Sequence, residues 1–305
     1  MRVLVTGATG MIGRGVVAAL AARGDEVVAL SRDPERARAL LGAGVEAHAW
    51  PEPQLTPPPQ PPLERSDALV HLLGEPVAQR WSPEAKRRIR DSRILSTRQL
   101  VAALRAAGDR APGVLVSQSA TGWYGPAGDE QLEETAPAGS DFLAGVVADW
   151  EREARAAEST TRVVCTRTGV VLSPGGGALA KMLPFFRLGI GGPVAGGRQY
   201  VPWIHLDDVI AALIHCVDDA RADGPVNVTA PNPVTNAQLS RALGRALGRP
   251  AVLPVPALAI RLLYGEMATI VTTGQRAVPA RLRELGFAFR HPDIEPALRD
   301  VLGRA

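Results

Sequence analysis

This chain of 305 residues has few groups suited to redox or metal chemistry. Its two cysteines, Cys165 and Cys216, sit apart in apolar runs and read as buried thiols, so no redox motif or disulfide framework is available. The histidines, His48, His71, His205, His215 and His291, are equally scattered. None pairs with another histidine or a cysteine at ligand spacing, so no metal site is expected. No apolar run approaches the roughly 20 residues that a membrane-spanning helix needs. The first strand-like run begins at Val3, so no secretory leader is expected and the chain reads as cytoplasmic. A strong charge of one sign is also missing: the formal net charge is only +3. The densest basic run, Lys86-Arg87-Arg88-Ile89-Arg90, lies in a helical stretch and meets Asp91, which describes a solvated face and not a nucleic-acid stripe. No Gly-x-Ser-x-Gly elbow is present, which argues against a hydrolase. At 46% hydrophobic and 21% charged, the chain is an ordinary globular one, long enough for a large domain plus a small one.

The most informative segment is the first. Val3 to Val5 runs directly into Gly7, Gly10 and Gly13, and an amphipathic pattern of Ile12, Val16, Val17 and Leu20 follows. Strand, glycine turn and helix form the device that turns a helix N-terminus toward a dinucleotide pyrophosphate. Gly7 makes the sharp turn, Gly10 lets the backbone approach the phosphates, and Gly13 lets the helix pack against the sheet. Thr9, Met11 and Ile12 complete the expected binding loop. The tip of the second apolar run, Glu26 to Leu30, carries Ser31 and Arg32, where an NAD site usually has a carboxylate. A hydroxyl and a cation suit a 2′-phosphate, so NADP(H) is the expected cofactor. Asp33, followed by Pro34, reads as the cap of the next helix.

Strands and helices then alternate. Short elements near Glu35 to Leu41 and Val45 to Trp50 precede residues 51–62, whose seven prolines read as an extended loop. Apolar strands at Asp67 to Leu73, Val114 to Ser117 and Val163 to Arg167 are separated by helices at Ser82 to Ala106 and Ser140 to Glu158, with a loop over 119–139. This alternation predicts an α/β fold, a Rossmann-type doubly wound parallel sheet with a smaller C-terminal α+β region on the substrate side. Residues 1–172 are expected to form the dinucleotide domain, with 203–230 returning to it through a helix at Asp207 to Val217, capped by Asp207, and a strand at Val226 to Thr229. Residues 173–202 and 231–305 would form the cap and small C-terminal domain.

Several motifs together resemble the extended short-chain dehydrogenase/reductase superfamily, and within it the atypical branch of epimerase-family, YfcH-like proteins. They are Thr6-Gly7-Ala8-Thr9-Gly10-Met11-Ile12-Gly13, Leu72-Leu73-Gly74-Glu75, Arg80-Trp81, Ser92-Arg93, Ser96-Thr97-Arg98, Ser117-Gln118-Ser119-Ala120-Thr121-Gly122-Trp123-Tyr124-Gly125 and Trp203-Ile204-His205. Gly265-Glu266 and Gly286-Phe287 are similar to the small C-terminal domain of that branch. The resemblance implies that Leu72, Leu73 and Gly74 border the cofactor and that Ser119 holds the substrate oxygen. It also implies dimerisation through the two long helices.

The chain departs from the family at the chemistry. Ordinary members use a tyrosine to move the hydroxyl proton and a lysine four residues later to lower its pKa. Here the window reads Phe142-Leu143-Ala144-Gly145-Val146-Val147-Ala148-Asp149-Trp150-Glu151, with neither residue. Tyr124 is the nearest phenol and, with Ser119, the candidate catalytic pair. Asp141 reads as a helix-start residue, Asp149, Glu133 and Glu134 as solvated, and Lys181 as peripheral. The arginine that clamps a substrate diphosphate in sugar-nucleotide epimerases is replaced by Val201, two residues before Trp203, with Arg198 nearby and a glycine-rich stretch over Gly189 to Gly197. Two readings stay open. One is an NADP(H)-dependent oxidoreductase or epimerase with a non-standard proton donor, acting on a small carbonyl, alcohol or nucleotide-linked compound. The other is an NADP(H)-binding sensor or interaction protein without turnover.

Overall fold

The structure, a computed structural model, describes residues 1–173 and 175–303. Seven strands form one parallel sheet: β1 (Arg2–Thr6), β2 (Glu26–Ser31), β3 (Glu46–Ala49), β4 (Ala68–His71), β5 (Val114–Ala120), β6 (Arg162–Thr168) and β7 (Gly224–Val228). Their spatial order is β3-β2-β1-β4-β5-β6-β7, so the strand order reverses between β1 and β4. At that switch point the carboxyl ends of neighbouring strands leave a crevice for a ligand. Thr6, the last residue of β1, has Leu30 on one side and His71 on the other. Leu4, Val5, Leu69, Val70, Leu115 and Val116 are fully buried, as strands covered by helices on both faces require.

Helix α1 (Met11–Arg23) and the later α7 (Leu206–Asp218) cover one face of the sheet. Helices α4 (Pro83–Ala107) and α5 (Phe142–Arg155) cover the other, and α2 (Pro34–Leu41) crosses between β2 and β3. Ser82 caps α4 by accepting from Ala85 N at 3.2 Å, with Pro83 at the first helical position, as the sequence predicts. His205 caps α7, contrary to the expectation of Asp207: its Nδ1 accepts from Asp207 N at 3.1 Å, and Asp207 falls in the first turn. Strand β5 runs three residues beyond the expected Ser117, which puts Ser119 in the sheet and not in the loop.

The proline-rich segment also differs from expectation. It ends in a short helix, α3 (Gln60–Glu64), with Pro61 and Pro62 in its first turn, where the missing N–H costs nothing. Leu63 is fully buried among core residues that include Trp50, whose Nε1 donates to the Thr56 carbonyl at 2.8 Å. Two anchors therefore hold the segment against the sheet.

A second core gathers Leu172, Leu183, Phe186 and Trp203 with α8 (Asn236–Leu247) and the C-terminal helix Ile294–Val301. Between Leu172 and Trp203 in the chain, α6 (Gly177–Arg187) begins beside Met11 of α1. Short pairs stitch this half together: Val170–Leu172 with Trp203–His205, Tyr200–Val201 with Val234–Thr235, and Gln131–Leu132 with Arg276–Ala277. Leu282 and Leu285 enter the core beneath the sheet, so the C-terminal segment packs on both halves. Among the described residues no helix is long and apolar enough to cross a membrane.

His71 bridges the sheet to α4. Its ring nitrogens lie 2.8 Å from Thr6 Oγ1 and 3.0 Å from Thr97 Oγ1, and burial lowers its pKa to about 3. The unfolded chain binds a proton here near pH 6.5, whereas the folded chain resists it until about pH 3. Stability from the neutral ring is complete above pH 6.5 and is lost as pH falls through that window. His71→Asn should therefore flatten the acid dependence of unfolding between pH 6.5 and 5, by up to about 1.4 kcal/mol per pH unit in urea titrations.

Candidate functional site

The glycine turn is fixed by backbone contact. Gly7 has φ 66°, and a Cβ there would lie 2.7 Å from the Leu72 carbonyl oxygen. A Cβ on Gly13 would fall 2.2 Å from the Gly7 carbonyl, so helix and turn can approach only without side chains. Gly10 differs. Its Cβ would meet only Gly7 O, at 3.2 Å, and its outer side is open. Gly10 is the N-cap of α1, no side chain caps that terminus, and the first turn holds no acidic residue. The N–H groups there retain their capacity to bind an anion.

A groove of about 200 Å³ opens beside this turn. Of the residues expected to border a cofactor, Gly7, Thr9, Ser31, Arg32, Leu73 and Gly74 line it. Leu72 packs behind Gly7, while Met11, Ile12 and Gly13 form the first turn of α1, with Met11 facing Gly176 and Gly177 at the start of α6. Ser31 Oγ donates to the Asp33 carbonyl at 3.0 Å, and the Asp33 carboxylate caps α2 by accepting from Arg36 N at 3.0 Å. That leaves Arg32, exposed and without an ion pair among the described residues, as the charge at the tip of β2. Trp50, Pro53 and Gln54 form a further wall. Nothing in the residue pattern points to this wall, because the proline segment reads as a bare loop.

Arg93 is the other residue to which sequence reasoning assigned no role. Its guanidinium lies against Gly74, close enough that a Cβ there would sit 3.0 Å from Cζ. One hydrogen bond, to the Ile89 carbonyl at 2.9 Å, is its only protein acceptor among the described residues. Burial pushes its pKa down to about 10, with Glu75 opposing. A largely buried cation with one acceptor and no paired carboxylate, at the edge of a groove, is equipped to receive an anion.

The proposed catalytic pair lies elsewhere. Ser119 and Tyr124 are buried, and both belong to one polar network beneath the loop. Ser119 Oγ donates to Glu151 Oε1 at 2.6 Å, and Glu151 holds Arg167 through two bonds of 2.8 and 2.9 Å. Arg167 also donates to Tyr124 Oη at 3.2 Å and to the Glu134 carbonyl at 2.9 Å, and its guanidinium stacks 3.9 Å from the Trp123 ring centre. Tyr124 Oη donates to Asn227 Oδ1 at 2.7 Å. Burial raises the Tyr124 pKa against the lowering effect of Arg167, so the phenol stays protonated at neutral pH. Neither hydroxyl lines the groove. Glu134, expected to face solvent, is buried and accepts from the backbone N of Asn227 and of Arg281, at 2.9 and 3.1 Å.

The altered helix offers no substitute. Leu143 and Val147 of α5 face Gly122 at ordinary contact distances, an apolar surface where family members hold a proton relay. Asp141 caps α5 through Ala144 N at 2.8 Å, and Asp149 pairs with Arg152 and Arg90 at the surface. Lys181 Nζ donates to the Ala78 carbonyl at 2.6 Å, tying α6 to the loop after Gly74. Lys86 makes a similar link, to Glu266 at 2.5 Å. His205, Asp207, His291 and Asp300 also come together, although sequence spacing suggested no such cluster. The His205 and His291 rings stack 3.8 Å apart at 28°, and His205 Nε2 lies 3.2 Å from Asp300 Oδ2. His205 Nδ1 is taken up in capping α7, while the Nε2 atoms of His205 and His291 are buried without a hydrogen-bond partner among the described residues.

Removing one partner of a buried ion pair leaves the other uncompensated. Glu151→Gln should lower unfolding free energy by about 3 kcal/mol or more in denaturant titrations. Arg98→Ala, which breaks an exposed pair with Glu153, should cost less than about 1 kcal/mol.

Comparison with known proteins agrees with this geometry. Residues 3–229 match the NAD dependent epimerase/dehydratase family, and residues 255–301 match a domain of unknown function, DUF1731. A chloroplastic epimerase family protein SDR39U1 homolog of Arabidopsis thaliana is 39% identical over 99% of this chain and 87% of its own length. Epimerase family protein Mb2239 of Mycobacterium bovis is 42% identical over 97% of this chain and 96% of its own. The crystal structure of human epimerase family protein SDR39U1 (isoform 2) with NADPH is 34% identical, covers 100% of both chains and superposes with a TM-score of 0.89. With a family model matching residues 3–229 and relatives of 34–42% identity along nearly the whole chain, this chain belongs to the NAD-dependent epimerase/dehydratase family of extended short-chain dehydrogenases/reductases.

Proposed function

We propose that the chain is an NADP(H)-dependent oxidoreductase or epimerase acting on a small carbonyl, alcohol or nucleotide-linked substrate. The observation that carries this reading is the uncapped N-terminus of α1 opening on a groove with Arg32 free at its rim. The amides of the first turn would hold the pyrophosphate, and Arg32 with Ser31 would receive the 2′-phosphate. Arg93 supplies a second cation further along, beside Gly74. That a 34% identical human relative was crystallised with NADPH supports the phosphorylated form. The nicotinamide, when bound, supplies hydride transfer; the chain's part is to hold it and to shield it from water. Ser119 and Tyr124 act on this reading as positioning residues, keeping β5, α5 and the loop between them in place.

A second reading, dinucleotide binding without turnover, is favoured by the apolar Leu143 and Val147 and by the burial of both candidate hydroxyls. Turnover in a screen of carbonyl compounds and sugar nucleotides, followed by NADPH absorbance, decides for the first reading; none across the panel decides for the second. We also propose dimerisation through α4 and α5, which a monomeric mass in sedimentation would refute.

Arg32→Ala should weaken NADPH binding roughly tenfold or more and leave NADH nearly unchanged in calorimetry, since only the 2′-phosphate distinguishes them. Equal losses would refute the cofactor assignment. Gly10→Val should abolish binding of both while leaving the melting temperature close to the wild type, because the open side of Gly10 is ligand space and not core.

A further inference from the structure

The outer surface of the C-terminal half is apolar where a free-standing domain would be polar. Helix α9 (Ala257–Tyr264) reads Ala-Leu-Ala-Ile-Arg-Leu-Leu-Tyr and has no buried residue. Leu258, Leu262 and Leu263 are 67%, 71% and 66% exposed. The preceding turn adds Val252 and Leu253, and the end of α6 adds Phe185, Leu188 and Ile190, all exposed. These strips adjoin. Gly189 packs toward Pro250, Gly192 lies against the Leu253 backbone, and Ala195 N donates to Val255 O at 2.9 Å. An apolar surface of this kind marks an interaction site.

Charge decides the occupant. No aspartate or glutamate occurs from residue 159 to 206 or from 224 to 265, the two stretches that build this surface. Arg187, Arg249 and Arg261 border it, and Arg241 stands on α8 nearby; none of the four has a carboxylate partner among the described residues. A hollow of about 310 Å³ joins Arg241, Arg249 and Arg245, the last paired with Glu295, to Val252, bringing guanidinium groups and an exposed apolar side chain to one place. A second copy of this chain would set like charges against each other across the contact. An anionic bilayer suits both halves of the pattern: apolar side chains enter the acyl boundary while arginines meet lipid phosphates.

We propose that this face, centred on α9 and the 185–190 and 249–253 segments, docks the protein reversibly on an anionic lipid surface. The site stands apart from the dinucleotide groove and does not depend on the cofactor reading. The test is flotation of the full chain with vesicles of phosphatidylcholine alone or mixed with phosphatidylglycerol. Binding should require the anionic lipid and fall steeply with added salt. A Leu258→Glu/Leu262→Glu double variant should lose at least roughly tenfold in partitioning, and Arg249→Glu/Arg261→Glu a similar amount, both with unchanged circular dichroism and melting temperature. If either pair disturbs folding, Leu262→Ser and Arg261→Gln serve as milder changes with smaller expected losses. No flotation on anionic vesicles, or flotation that both double variants leave intact, overturns the proposal. So does self-association in sedimentation that Leu258→Glu/Leu262→Glu abolishes, because the face would then belong to a second copy.

Discussion

The architecture of the site side depends on one buried charge pair. Arg167 at the end of β6 and Glu151 on α5 satisfy each other through two hydrogen bonds in an interior that would otherwise reject both. Each ion also recruits neutral partners: Ser119 on β5, Tyr124 in the following turn and the carbonyl of Glu134. Asn227 on β7 extends the network to the carbonyls of Leu132 and Val278. Three sheet strands, one helix and the C-terminal segment are thereby fixed to a common polar centre. Such a network rigidifies its surroundings when its members are satisfied, and the hydroxyls of Ser119 and Tyr124 are both engaged in it.

The dinucleotide half was legible from sequence because backbone sterics write themselves into residue choice. Gly7 and Gly13 are positions where a single methyl group would collide with a carbonyl, and the apolar runs on either side define strand and helix. The assignment of Asp33 as a helix cap, and so of Arg32 as the free charge, followed from the proline after it and agrees with the structure. Other features were beyond sequence reasoning because they depend on contacts between distant segments. Arg93 belongs to one of the family-like motifs, but only the fold shows its guanidinium against Gly74. Ser119 matches a family motif by position, yet Glu151, 32 residues away, decides what its hydroxyl does. The proline segment looked featureless until Leu63 and the Trp50 indole were seen to anchor it.

The site thus divides into a cofactor end built on Gly7, Gly10 and Gly13 and an α5 face without the tyrosine and lysine usual in the family. Leu143 and Val147 give α5 a surface that excludes water but moves no proton. Epimerase, as a family name, describes a reaction, whereas the devices this chain shows most plainly are those that hold the cofactor.

The placement of the lysines carries its own consequence. The chain holds 34 basic residues, yet Lys86 and Lys181 are its only lysines. Lys86 reaches across from α4 to Glu266, and Lys181 from α6 to Ala78. Both span from the dinucleotide half to the other half of the molecule, and arginine carries nearly all the remaining positive charge. Acylation of primary amines would leave that arginine charge untouched and, apart from the amino terminus, would strike only these two links between the halves.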